Sequence, residues 1–117
     1  MNDRQKENHN FQKVAAVLAD YGFNCLRLSD DWQGADFLAC HIDGNTVLKV
    51  QLKGRLTIEE KYVGKNIHIA FPYNGAWYLF PHDDVREYFL ANGRQGAFSC
   101  HYVPVKHSRF MDQFKIT

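Results

Sequence analysis

The chain has 117 residues, of which 45% are hydrophobic and 15% aromatic, and its net charge is +1. This length allows one hydrophobic core, so we expect a single domain over residues 1–117. The apolar content excludes a disordered or low-complexity chain.

The first half of the sequence predicts a helix followed by three strands. A helix over residues 5–21 is indicated by apolar residues spaced i, i+3, i+4 and i+7, and Gly22 is a natural end for it. A polar loop is expected over 30–34. Asp43 and Gly44 form the pair typical of a tight two-residue hairpin turn. The expected strands cover residues 23–29, 34–41 and 46–53.

The second half predicts another hairpin and another helix. Asn74 and Gly75 mark the turn of this hairpin, and Gly93 lies just past the end of the helix. Residues 106–117 give no clear pattern. The expected elements are a charged connection over 54–65, strands over 66–73 and 76–81, a helix over 82–93 and a late strand over 97–105.

The first hairpin brings polar residues together. With a turn centred on Asp43 and Gly44, Asp36 lies opposite Gln51, with Cβ atoms roughly 5 Å apart. Side chains alternate along a strand, so Lys53 lies on the same face as Gln51. The other face is wholly apolar, and we expect the first helix to cover it. Its members are Ala35, Phe37, Ala39, Leu48, Val50 and Leu52.

These three polar residues suit metal-assisted phosphodiester hydrolysis. A carboxylate and an amide oxygen are hard ligands that fit Mg²⁺, which also takes phosphate oxygens. Such a metal activates a water and neutralises charge on the phosphate. A lysine beside it can orient the water or stabilise the transition state. A solvated hairpin end with one ion pair is the alternative explanation.

The segments "GADFLA" and "VQLKGR" together resemble the signature of the PD-(D/E)xK nuclease superfamily, an Asp opening one strand and an acid-x-Lys on the next. The segment "NFQKVAAVLADYGFNCLRL" is similar to the first helix and strand of archaeal Holliday-junction resolvases and Mrr-type restriction enzymes. The resemblance covers roughly residues 5–71.

The resemblance implies a restriction-endonuclease-like α/β fold (α+β), a mixed central sheet flanked by helices. It also implies Mg²⁺- or Mn²⁺-dependent DNA cleavage and frequent homodimers. By position, Asp36 matches the metal-binding Asp, Gln51 the variable acid and Lys53 the catalytic Lys. Gln51 departs from the usual acid, although Mrr-like and some intron-encoded homing enzymes have this Q-x-K variant.

Members of this superfamily often add an acid from the first helix. The aligned positions, near Gln12 and Lys13, are not acidic. Glu7 lies on the helical stripe that continues through Phe11, and we therefore assign it as the additional metal ligand and catalytic acid. An acidic residue favoured by the helix dipole is the alternative explanation for Glu7.

Basic residues cluster around the hairpin in spite of the low net charge. Between residues 49 and 65, five cations stand against two anions. Phosphate contacts need only positive charge, so these cations are candidates for DNA binding. A solvated surface is the alternative. The candidates are Lys49, Arg55, Lys61 and Lys65.

The cysteines and the N-terminal residues indicate the cellular compartment in which the protein is expected. Cys25, Cys40 and Cys100 are odd in number and form no CxxC pattern, so neither a disulfide framework nor a zinc site is expected. The first ten residues are too polar for a signal peptide, and no apolar run reaches the roughly 18 residues of a membrane span. We expect a cytoplasmic protein with no membrane partner.

Three functional hypotheses follow from the sequence. The first is a Mg²⁺-dependent DNA endonuclease acting as a homodimer. The second is a weak or inactive protein of the same fold that binds nucleic acid or a protein, because Gln51 replaces an acid and the aligned helix positions near Gln12 and Lys13 are not acidic. The third is an unrelated α+β binding module without any metal dependence.

Overall fold

The computed structural model describes residues 2–91, 100–102 and 109–117. Within these ranges the chain forms two α-helices, seven strands and two short 3₁₀ helices. In chain order they are α1 (Asp3–Asp20), β1 (Phe23–Trp32), β2 (Ala35–His41), β3 (Val47–Leu52), β4 (Thr57–Glu59), a 3₁₀ helix (Glu60–Tyr62), β5 (Ile67–Tyr73), β6 (Ala76–Pro81), α2 (His82–Ala91), β7 (Cys100–Tyr102) and a 3₁₀ helix (Arg109–Phe114).

The central sheet is mixed. Its five strands lie in the order β1-β2-β3-β5-β6, and β3 and β5 are parallel while the other neighbours are antiparallel. The parallel pair needs a crossover, since two parallel strands cannot be joined by a tight turn. This crossover contains β4, which pairs with β7 in a separate two-stranded sheet. The expected mixed sheet flanked by helices is confirmed.

Helix α1 covers one face of the sheet, as predicted. Val14 and Leu18 are buried on it and pack against Phe37 and Val50 from the first hairpin. The helix begins two residues earlier than predicted because Asn2 caps it: its side chain accepts the Gln5 N–H, and the Gln5 side chain accepts the Asn2 N–H.

The opposite side of the sheet packs on α2 and the last 3₁₀ helix. Phe71 and Phe80 are fully buried there, against Val85 of α2 and Met111. Ala35 also belongs to this second core. The prediction that Ala35 lies on the α1 face is wrong, because Ala35 packs in one core with residues of the crossover segment.

The predicted pairing of the first hairpin is confirmed at four positions, including Phe37 with Val50 and Leu38 with Lys49. The turn itself differs from the prediction. The His41 N–H bonds the Thr46 carbonyl at 2.8 Å, which leaves a four-residue loop, and Asp43 closes it by accepting the Thr46 N–H. The loop is extended equally at both ends, so the register is unchanged.

Two expected irregular segments contain regular structure. The prediction of a loop over 30–34 is wrong, because β1 continues to Trp32. Gln33 and Gly34 then make a two-residue turn in which both residues have positive φ. The prediction of an irregular charged connection over 54–65 is also wrong, because β4 and a 3₁₀ helix lie there and bury Ile58 and Tyr62.

The later predictions are largely confirmed. Asn74 and Gly75 both have positive φ and form the two-residue turn between β5 and β6. Helix α2 ends at Ala91, near the predicted end. Of the strand expected over 97–105, the structure describes β7, and the remaining residues lie outside the described ranges. Within those ranges, no helix is both long and apolar enough to cross a membrane.

Candidate active site

A polar cleft lies where the first half of α1 passes the ends of β2 and β3. Its volume is about 530 Å³. Three carboxylates, two ammonium groups and two amides line it, so its surface suits a hydrated or ionic ligand rather than an apolar one. The lining residues are Asp3, Lys6, Glu7, Asn10, Asp36, Gln51, Leu52, Lys53 and Gly54. The structure therefore brings together all four predicted catalytic residues.

Asp36 is held by the backbone of the neighbouring strand. Its Oδ2 accepts the Leu52 N–H at 2.8 Å, across the continuation of the predicted register. This bond orients the carboxylate at the point where β2 and β3 diverge.

Gln51 lines the cleft and has a buried side-chain oxygen. The residue is 9% exposed, and within the described residues Oε1 has no hydrogen-bond partner. A buried polar atom without a partner costs free energy, so such an atom in a native fold calls for an explanation. A ligand that enters the cleft supplies one, since an amide oxygen beside a carboxylate fits a Mg²⁺ ion.

Lys53 lies at the rim of the cleft in contact with the crossover segment. Its Nζ is 3.6 Å from Oε1 of Glu59 and 5.5 Å from the ring centroid of Tyr62. The side chain is 21% exposed. The ammonium is thus held by a carboxylate and an aromatic face while it still reaches solvent in the cleft.

Glu7 reaches the cleft, but it already has a partner. Its Oε1 is 2.9 Å from a guanidinium nitrogen of Arg27. Arg27 also contacts Asn8 and lies over the ring of Phe11, with its Cζ 5.3 Å from the centroid. A second cleft of about 490 Å³ shares Glu7 and Asp36 with the first. Glu7 therefore lies between the two clefts, and its role in metal binding stays a prediction.

The four predicted phosphate contacts lie outside the cleft lining. Lys49 is half-buried, bonds the Gln33 amide at 3.0 Å and lies over the Trp32 ring. Lys61 is 66% exposed, and Lys65 and Arg55 are exposed as well. Lys61, Lys65 and Arg55 are therefore accessible to solvent. Their binding of DNA stays a prediction.

Sequence reasoning missed part of the cleft. Asp3, Lys6 and Asn10 line it from α1 together with Glu7. These four positions have the helical spacing i, i+3, i+4 and i+7, so they form one polar stripe, which shares Glu7 with the stripe that continues through Phe11. This spacing was available in the sequence. Glu59 was missed as well, since its segment was expected to be an irregular connection.

The donor set of the cleft suits an ion that keeps several waters. Within the described part of the chain, no group of three or more His, Cys, Asp or Glu side chains could hold a metal by itself. Asp36 and Gln51 offer two oxygen ligands, and Glu7 lines the same cleft with a third. Mg²⁺ accepts such a partial set, because water and substrate phosphate complete its shell. The residues present therefore fit this metal.

The fold resembles that of solved structures. The Holliday junction resolvase Hjc of Archaeoglobus fulgidus superposes with a TM-score of 0.52 over 67% of this chain and 74% of the resolvase, at 18% identity. This chain shares the fold of that resolvase. A bacterial homing endonuclease matches with a TM-score of 0.48 over 91% of this chain and 82% of its own, at 16% identity. No protein-family model and no curated protein sequence matches the chain.

The superposition bears on the sequence-based expectations. The expected mixed central sheet flanked by helices is confirmed, and it is the fold of that resolvase. At 18% identity the likeness concerns the fold alone, and one fold can carry many functions.

Proposed function

We propose that this protein is a Mg²⁺- or Mn²⁺-dependent endonuclease that hydrolyses phosphodiester bonds of DNA in the cleft beside α1. The observation that carries the proposal is the convergence of Asp36, Gln51 and Lys53 in one cleft. The fold, which is shared with a resolvase of Holliday junctions, supports it.

Asp36 and Gln51 are the residues that would hold the metal, with Glu7 as a third ligand. A bound Mg²⁺ would supply an activated water and neutralise charge on the phosphate. Asp36 contributes a fixed anion, because the Leu52 N–H orients its carboxylate. Gln51 contributes a buried neutral oxygen that has no protein partner among the described residues.

Lys53 would act on the reacting groups directly. Its ammonium stands at the rim of the cleft, where it can orient the attacking water or donate to a phosphate oxygen that gains charge in the transition state. Such an interaction strengthens as charge develops, so Lys53 would contribute to the rate more than to binding.

The basic residues around the cleft would hold the DNA backbone. Lys61 and Lys65 have the exposure that phosphate contacts need, as has Arg55. Lys49 would have to exchange its bond with Gln33 for a phosphate. These contacts would set affinity and its salt dependence without selecting a sequence.

We further propose that the chain acts as a homodimer. One cleft of this kind cuts one strand, so cleavage of both strands favours two copies. A two-fold dimer would match a two-fold symmetric DNA substrate.

A second candidate function is an inactive or weakly active DNA-binding or protein-binding protein of the same fold. Two observations favour it: Gln51 adds no charge to the metal site, and Glu7 is engaged by Arg27. Such a protein would bind its partner without cutting DNA.

One cleavage assay separates the two candidates. Supercoiled, linear and branched DNA are each incubated with the protein in Mg²⁺, in Mn²⁺ and in EDTA. The proposal predicts nicked or cut products in the presence of metal and none in EDTA. Binding of DNA without any product on all three substrates would favour the inactive protein, and cleavage in EDTA would contradict a metal-dependent mechanism.

A further inference from the structure

We propose that Glu59 is a positioning residue that holds the ammonium of Lys53 at the rim of the cleft. This inference rests on the proposed function, because it concerns the lysine that would act on the phosphate. The Glu59 side chain is 9% exposed, and its Oε1 lies 3.6 Å from Nζ of Lys53. A carboxylate this well buried needs a cation beside it. The same attraction holds the Lys53 ammonium next to Glu59.

The backbone of Glu59 is fixed from two sides. Glu59 pairs with Cys100 in the small antiparallel sheet. Its N–H donates to Nε2 of His82 at 3.1 Å, and His82 is fully buried at the start of α2. Because Nε2 accepts this bond, Nδ1 carries the proton and donates to Asp83 at 3.0 Å. The position of Glu59 is therefore set by β7 and α2 together.

The ring of Tyr62 is the second group that contacts the Lys53 ammonium. Tyr62 is 3% exposed, and its ring packs edge-on against His82, with 5.5 Å between the centroids. Gly34 leaves room for the ring, since a Cβ at that position would lie 3.3 Å from it. Lys53 therefore faces a rigid aromatic surface as well as an anion.

The two cations at Glu59 differ in their surroundings. Lys61 lies 3.4 Å from Oε2 of Glu59, but its side chain is 66% exposed, against 21% for Lys53. Water competes strongly for an exposed pair, so Lys61 can move to a phosphate at little cost. Lys61 also lies over the Tyr62 ring, with its Nζ 5.3 Å from the centroid, so burial is what separates the two lysines. Lys53 is shielded from water more than Lys61 is, and the carboxylate and the ring therefore hold it more firmly.

The test replaces the carboxylate without changing its size. Glu59→Gln is compared with Glu87→Gln, which removes the same charge from an exposed position on α2. The turnover number is expected to fall roughly tenfold or more in Glu59→Gln, since a displaced catalytic group loses its alignment. The affinity for DNA, measured in Ca²⁺, is expected not to weaken. Glu87→Gln should match the wild type in both measurements.

A conservative variant separates positioning from folding. Glu59→Asp keeps the charge with a shorter reach, so its turnover number should lie between those of the wild type and Glu59→Gln. Urea unfolding of each variant shows whether it is folded in the assay. The ¹Hε–¹³Cε signal of Lys53, assigned by its loss in Lys53→Ala, should move in Glu59→Gln and stay in place in Glu87→Gln.

The outcomes distinguish this inference from the proposed function. If the wild type cleaves DNA and Lys53→Ala does not, a Glu59→Gln variant with unchanged turnover overturns the positioning role. An unmoved Lys53 signal in that variant overturns it as well. If the wild type cleaves no DNA in any metal, the endonuclease proposal itself fails, and the role of Glu59 in catalysis falls with it.

Discussion

The carboxylate of Asp36 accepts the backbone N–H of Leu52 at 2.8 Å, so the proposed metal ligand is also part of the hydrogen bonding between β2 and β3. This double role predicts two separable effects of substitution. Asp36→Ala leaves the Leu52 N–H without its acceptor and should lower the free energy of unfolding by about 1.5–3 kcal/mol, the usual worth of a bond to a charged group. Asp36→Asn keeps an acceptor oxygen, so its free energy of unfolding should fall clearly less than that of Asp36→Ala.

Urea denaturation of both Asp36 variants measures this difference. Equal losses of stability in the two variants would show that the bond to Leu52 contributes nothing, and that the orientation of the carboxylate has another cause.

Lys53 is predicted to matter for the rate and not for binding. Lys53→Ala should abolish measurable cleavage while the dissociation constant for DNA changes less than about threefold, because several other cations hold the backbone. Lys115→Ala removes the same charge from an exposed position near the C-terminus and serves as the control. Full activity of Lys53→Ala would remove this residue from the mechanism.

Lys61 and Lys65 are predicted to contact phosphates. Each duplex contact contributes about 0.9 to the slope of log K against log salt, so the double variant Lys61→Ala and Lys65→Ala should flatten that slope by up to about 1.8. Fluorescence anisotropy over a range of salt concentrations measures it. The matched control is Lys13→Ala with Lys115→Ala, both exposed. A slope equal to that of the wild type would place Lys61 and Lys65 away from the DNA.

His68 is predicted to make stability depend on pH. Burial lowers its pKa below the ordinary 6.5, against an opposing effect of Asp84, and its Nδ1 is buried with no hydrogen-bond partner among the described residues. The folded state therefore takes up this proton at a lower pH than the unfolded chain does. A neutral His68 therefore contributes to the free energy of unfolding. This contribution is fully present above pH 6.5 and is lost as the pH falls through that value towards the folded-state pKa.

The variant His68→Leu removes this titration. Its free energy of unfolding should fall less than that of the wild type as the pH drops from 7.5 to 5.0, values chosen to bracket the ordinary histidine pKa. His9→Gln, on the exposed side of α1, should retain the pH dependence of the wild type. Parallel curves for His68→Leu and the wild type would show that His68 does not titrate with folding.

Much of the site could be predicted because short-range patterns determine it. The alternation of apolar and polar residues on both sides of Asp43 was enough to pair Phe37 with Val50, and this pairing brings Asp36 towards Gln51. The prediction was insensitive to the actual turn, because the longer loop adds one residue to each side of the same centre.

The missed features depend on contacts that are distant in sequence. Gln33 adopts a positive φ of 52°, which few residues other than Gly and Asn favour, so the turn before β2 gave no signal. Glu59 is buried in contact with residues outside its own strand: its N–H donates to His82, and its carboxylate lies beside the Lys53 ammonium. The charged segment around Glu59 looked like a solvated loop, since its partners lie as far as 23 residues away.

The most direct test of the central claim is single-turnover cleavage of DNA as a function of Mg²⁺ concentration in the wild type, Gln51→Glu and Asp36→Asn. The wild type should show a saturable dependence on Mg²⁺. Gln51→Glu should reach half-maximal rate at a lower concentration, because it adds a negative ligand beside Asp36. Asp36→Asn should show no cleavage at any concentration. Cleavage by Asp36→Asn at the rate of the wild type, or cleavage by the wild type that is independent of Mg²⁺, would contradict a metal site at Asp36 and Gln51.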